Sequence, residues 1–222
     1  MEILNKEEKI ISDCIKLIKK EYKDRNDGYD FNHSMRVYNL AKEIIERDYS
    51  IREINKLNVY LAALLHEIDY DNRYFESGSK FLKKYDIKEG PIIYIIDQAK
   101  NKNKKVETIE AAVVQDADIL DGIGAIGIAR TFMFNAVHRN KQDEAIRHFY
   151  NDTLLSSDKL NTNAAKYMAE KRHKILEDFL SQYLAEDTIS TCNHRGMIRF
   201  NEDESKCICL NCGKEFNNNE KW

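Results

Sequence analysis

LAALLHEIDYD, residues 61–71, sets a histidine and a glutamate side by side at the end of an apolar run. Leu57, Leu61, Leu64, Leu65 and Ile68 fall on one face of a helix, and Val59, Ala62 and Ala63 make the opposite face apolar too. A helix that is apolar nearly all round belongs in the middle of a domain. His66 and Glu67 therefore emerge from a buried element, where a carboxylate is costly unless it meets a cation.

Composition sets the frame around that helix. A chain of 222 residues can form one domain with a sizeable core and a small appendage. One proline and eight glycines leave few breakers, which predicts a mostly helical, all-α fold. The formal charge of −3 argues against a general binder of nucleic acid or membrane surface. No apolar run is long enough for a membrane span and the N-terminus lacks a signal-peptide core, so the expected location is cytoplasmic. Four of the five cysteines lie within residues 192–212, a grouping that suggests a metal rather than disulfides in a reducing compartment.

Two further segments place polar groups in register with apolar stripes. In FNHSMRVYNLAKEIIERD, 31–48, His33 is in phase with Val37, Leu40 and Ile44, and Arg36 stands one turn on. In TIEAAVVQDADILDGIGAIGIARTF, 108–132, Asp116 follows the face of Ile109, Ala112, Val113 and Leu120. Asp118 and Asp121 point elsewhere and are expected to be solvated or to cap turns, while Gly122, Gly124 and Gly127 suggest close packing or a bend. Three helices thus offer His33, His66 with Glu67, and Asp116. Two imidazoles and two carboxylates suit a divalent transition metal such as Mn²⁺, Fe²⁺ or Zn²⁺. The same four residues would equally make a buried structural network.

These residues resemble the HD superfamily of metal-dependent phosphohydrolases. The wording is most similar to its bacterial nucleotide pyrophosphohydrolases, through HSMRV at 33–37, QDAD…GAIGIAR at 115–130, HFY at 148–150 and the closing helix 161–186. The family's His-Asp doublet is His66-Glu67 here, and the arginine expected after QDAD is Ile119. The resemblance implies an all-α helical bundle over residues 1–187 with one metal, Mn²⁺ first, on His33, His66, Glu67 and Asp116. It also implies hydrolysis of nucleoside triphosphates to monophosphate and pyrophosphate. A cyclic-nucleotide or nucleic-acid-end phosphodiesterase and a catalytically weakened nucleotide-binding module are the alternatives.

Arg36 and Arg130 are candidates to steady phosphates, or else surface or helix-pairing arginines. Asp69, one turn after His66, is a candidate general acid or base, or a helix-end cap. His148 faces the substrate or is structural.

The tail, 188–222, carries Cys192-x-His194 and, fourteen residues on, Cys209-x2-Cys212-Gly213. Two short knuckles with paired ligands are what a tetrahedral structural zinc needs, and the tail resembles a zinc ribbon. Its five basic and five acidic side chains cancel, which argues against strong nucleic-acid binding and leaves protein docking or a purely structural role.

Overall fold

The structure, a computed structural model, describes residues 6–67, 72–101, 105–186, 197–199, 206–209 and 215–217. Helices α1 (Lys6–Glu21), α2 (Phe31–Arg47), α3 (Lys56–Leu65), α4 (Asn72–Lys84), α5 (Glu89–Lys100) and α6 (Ile109–Gly122) are followed by α7 (Gly124–Val137) and α8 (Gln142–His148). A π-helical turn at Phe149–Thr153, a 3-10 turn at Ser156–Lys159 and the long α9 (Asn163–Glu186) complete the helical part. Strands β1 (Met197–Arg199), β2 (Lys206–Cys209) and β3 (Glu215–Asn217) form an antiparallel sheet in the order β1-β2-β3. The chain divides into two compact units, Met1–Asp121 with Leu160–Met168, and Gly122–Lys159 with Ala169–Trp222. The expected boundary at residues 187 and 188 falls at the end of α9, where continuous description stops.

In the first unit α3 is the central helix, packed against α1, α2 and α5. Asn55 starts it by accepting from the Asn58 backbone N–H. Val59, Leu61, Ala62, Ala63, Leu64 and Leu65 are all buried, as an element apolar on every side requires. Each of the larger aliphatic side chains contributes roughly 2 kcal/mol on leaving water. Around them stand Ile10, Cys14 and Ile18 of α1, Val37, Leu40, Ala41 and Ile44 of α2, and Ile92, Ile95 and Ile96 of α5.

The segment 108–132, whose glycines suggest close packing or a bend, forms two helices that part at Ile123. There the backbone is extended, and Gly124 takes a positive φ of 75°, which a side chain would strain. A Cβ at Gly124 would also stand 3.1 Å from the Arg172 Cβ, and one at Gly127 would collide with the Gly122 carbonyl. The glycines thus mark both a bend and close packing.

The start of α9 is held from elsewhere in the first unit. The Asp48 carboxylate accepts from the Asn163 and Ala164 backbone N–H groups at 2.9 and 3.2 Å, and Thr162 Oγ accepts from Ala165 N–H. These are orphan donors of a helix N-terminus, and Asp48 satisfies two of them.

In the second unit Ile146, Phe149, Leu176, Leu180 and Ile208 form one apolar cluster, with Phe149 edge-on to Phe132 and Phe179. Ile208 comes from β2, so the tail borrows its apolar anchor from the helices. Its neighbours Cys207 and Cys209 are also buried and share the opposite face of the strand. Of the expected zinc ligands, Cys209 is described, while Cys192, His194 and Cys212 lie outside the described residues.

Candidate metal centre

Two helix ends bring the imidazoles together. Asp30 caps α2 by accepting from the His33 backbone N–H at 2.9 Å, which sets His33 in the first turn and inward. His66 closes α3 at its C-terminal end, and Glu67 follows in the turn. All three are buried, His33 completely. His33 Nε2 and His66 Nε2 stand 3.0 Å apart. Glu67 Oε1 lies 3.5 Å from His66 Nε2 and 3.9 Å from His33 Nε2, and Asp118 Oδ1 lies 3.7 Å from His33 Nε2. One ligand atom each from His33, His66 and Asp118 falls within 4.8 Å of the others.

The hydrogen bonds on the far sides of the rings decide what those nitrogens carry. His66 Nδ1 is 2.7 Å from the Ala63 carbonyl, which only accepts, so Nδ1 holds the proton. His33 Nδ1 is 2.8 Å from Asp121 Oδ2, an acceptor too. Burial, foremost, keeps the His66 imidazole below its ordinary pKa and hence neutral at pH 7. The two Nε2 atoms face each other at hydrogen-bond distance, and that of His66 presents a lone pair. Glu67 Oε2 is buried without a hydrogen-bond partner, with the Arg25 guanidinium 3.7 Å away. Burial works against the Glu67 charge, but the imidazoles outweigh it and hold the carboxyl below its usual range. Lone pairs and carboxylates converging in a buried space call for a cation. The donor set, two imidazole nitrogens with carboxylate oxygens, fits a divalent transition metal.

Asp116 is not brought to this cluster. Its carboxylate accepts from the Asn161 backbone N–H, Asn161 Nδ2, the Thr162 backbone N–H and Thr162 Oγ1 at 2.7 to 2.9 Å, and it anchors the approach to α9. Asp118, expected to be solvated or capping, stands in the cluster instead. Asp121, read the same way, is 1 % exposed and takes both Arg36 Nε (2.6 Å) and Arg36 Nη2 (3.1 Å) besides His33. The expectation fails because α6 is buried on nearly every side, so no outward face tells its aspartates apart. Between Ala111 and Asp121 the one position that is not fully buried is Asp118, where the cluster opens.

Arg36 does share the surroundings of His33, as its spacing suggests. A cation without any motif or periodicity to single it out is Arg25, in the turn after α1. Its Nη2 lies 3.7 Å from Glu67 Oε2 and 3.4 Å from Asp27, and its Nη1 reaches the Glu67 carbonyl. Arg130 and His148 belong to the second unit, where His148 is exposed and 3.8 Å from Asp152. Asp69 lies outside the described residues.

The HD domain family matches residues 30–123, which include every member of the cluster. The Bacillus subtilis protein YpgQ is 33% identical over 184 residues, spanning 72% of this chain and 84% of YpgQ. The chain belongs to the HD superfamily. A structure of B. subtilis YpgQ in complex with ADP superposes with a TM-score of 0.68 at 28% identity, covering 81% of this chain and 96% of that one. An HD-superfamily hydrolase from Bacillus thuringiensis superposes with a TM-score of 0.64 at 30% identity, covering 81% and 97%. Membership of this superfamily implies a divalent metal, and family and site together support a metal-dependent hydrolase.

Proposed function

We propose that this protein hydrolyses phosphate anhydride bonds in nucleotides, converting (deoxy)nucleoside triphosphate and water to monophosphate and pyrophosphate. The observation that carries the reading is the pair of buried imidazoles whose Nε2 atoms face each other at 3.0 Å beside Glu67 and Asp118. His33, His66, Glu67 and Asp118 would hold one divalent metal, Mn²⁺ in the first instance, and Asp116 serves α9 instead. When bound, the metal supplies Lewis acidity toward a phosphoryl oxygen and lowers the pKa of water. The chain itself supplies charge and shape. Arg36, pinned at Nε and Nη2 by Asp121, keeps Nη1 for a phosphate oxygen, since no hydrogen bond holds it among the described residues. The nucleotide class is supported by the ADP complex of YpgQ and by the resemblance of the segment QDAD…GAIGIAR to the pyrophosphohydrolase branch. Arg130, His148 and Asp69 stay candidates for phosphate steadying, substrate contact and proton transfer.

The tail is proposed as a separate zinc ribbon over 188–222, with Zn²⁺ on Cys192, His194, Cys209 and Cys212 and a protein-docking or structural role. The burial of Cys209 on β2 supports it. One equivalent of zinc that persists in His66→Ala but is lost from Cys209→Ser would bear this out.

Product analysis tests the enzyme. Metal-stripped protein reloaded with Mn²⁺ is given a panel of nucleoside triphosphates, cyclic nucleotides and oligonucleotide ends. Pyrophosphate and monophosphate in equal amounts, abolished by chelator, are expected. Turnover confined to cyclic nucleotides or nucleic-acid ends would replace the reading with a phosphodiesterase, and tight nucleotide binding without turnover would replace it with a binding module.

A further inference from the structure

His33 and His66 hold the same tautomer by different means. For His66 the acceptor on Nδ1 is the Ala63 carbonyl, a backbone atom that no substitution removes. For His33 it is Asp121 Oδ2 at 2.8 Å, a side chain 88 residues away. That carboxylate is doubly engaged. Its Oδ1 accepts from Arg36 Nε at 2.6 Å, and Oδ2 accepts from Arg36 Nη2 at 3.1 Å as well as facing His33. A guanidinium has only donors, so both Asp121 oxygens must accept from it, and the proton between Asp121 and His33 belongs to Nδ1.

We infer that Asp121 is the positioning residue of this centre, coupling the ligand face of His33 to the aim of Arg36. One buried carboxylate fixes where the His33 proton sits, how its ring is turned, and which edge of the Arg36 guanidinium is left for an anion. A metal ligand and a phosphate-binding cation are thereby held in one frame, and neither reorients without the other. The inference rests on the metal-centre reading above for its purpose, but its geometry does not require the metal.

Exchanging Asp121 for asparagine makes the claim concrete. The amide oxygen would turn to Arg36, which can only donate, and leave the NH₂ facing His33 Nδ1. As a donor, that group selects the tautomer with the proton on Nε2, where the ligand lone pair should be. The test is nitrogen-15 NMR of the full-length, metal-free protein, with His33 assigned by substitution. Wild type is expected to carry the His33 proton on Nδ1, and Asp121→Asn to move it to Nε2 while the His66 tautomer stays put. Arg36→Lys should leave the His33 tautomer unchanged. Mn²⁺ affinity, measured by titration, should drop on the order of 10- to 100-fold in Asp121→Asn. A wild-type His33 that carries no proton on Nδ1 overturns the inference even if the variant does not fold. An Asp121→Asn protein with unchanged tautomer and Mn²⁺ affinity overturns it as well. If wild type takes up no divalent metal, the proposed function fails, while the tautomer measurement still decides the role of Asp121.

Discussion

Asp116 and Asp118 stand two residues apart on α6 in opposite company. Asp116 meets four hydrogen-bond donors from Asn161 and Thr162. Asp118 Oδ1 stands 3.7 Å from His33 Nε2 in the company of His66 and Glu67, within reach of one cation. Burial marks both residues, yet their neighbours differ: Asp116 is tied to the approach to α9, while Asp118 shares a candidate metal site with two imidazoles. Asp48 belongs with Asp116: its oxygens take the first N–H groups of α9 and those of Ser50.

Removing an imidazole is the severest way to break this contrast. His66→Ala is expected to lose Mn²⁺ binding and to drop hydrolysis to the uncatalysed background, as read by product chromatography. Asp118→Asn should weaken Mn²⁺ by at least about a hundredfold, and Asp116→Asn by less than about threefold, on the scale of ligand and outer-shell effects. The order reverses in a urea titration. Asp116→Asn sets an amide NH₂ against donors and should cost about 3 kcal/mol, because removing one side of a buried charged network strands the other.

Metal addition sharpens the same distinction more gently. Free Mn²⁺ at a hundredfold excess over its Kd should stabilise wild type by about 2.7 kcal/mol, and the gain should be absent from His66→Ala. A thermal scan with and without chelator measures it.

The smallest effect is at Asp48, where truncation to alanine should cost roughly 1 kcal/mol as the loss of a helix cap. Its pH dependence has a definite sign. Burial opposes ionisation, but the hydrogen bonds from Ser50, Ala164 and Asn163 prevail, so the folded carboxyl lies below its ordinary value. A depressed carboxyl stabilises the fold fully above the unfolded value of about 4 and loses that contribution as pH falls through the folded value. The stability gap between wild type and Asp48→Asn should therefore be widest at neutral pH and narrow toward pH 3.

The same contrast explains what could be read without coordinates. α2 is amphipathic, so His33 stood out as a polar residue in phase with an apolar stripe. α3 is apolar on every face, so the residues at its end had to be buried wherever the chain turned. α6 offers no such reference. With Ala111 through Ala117 all buried, every aspartate on it is in phase with something apolar, and Asp116 is as conspicuous as the residue that reaches the cluster. Periodicity reports burial, whereas the partners of a buried group come from across the chain: Asn161 for Asp116, His33 for Asp121, Arg25 for Glu67. The break at Ile123 was foreshadowed by its glycines, but which of them needed a positive φ was not.

The anchoring of α9 also has an order in time. Translation delivers the chain from its N-terminus, so His33, His66, Glu67, Asp118 and Asp121 all exist before Asn161 and Thr162 are made. Until then Asp116 lacks its four donors, and it sits two residues from the cluster with the same chemistry as Asp118. Asn161 and Thr162 thus do more than lead into a helix. By holding Asp116 they engage the carboxylate two residues from Asp118, so a segment made later fixes the company of an earlier one.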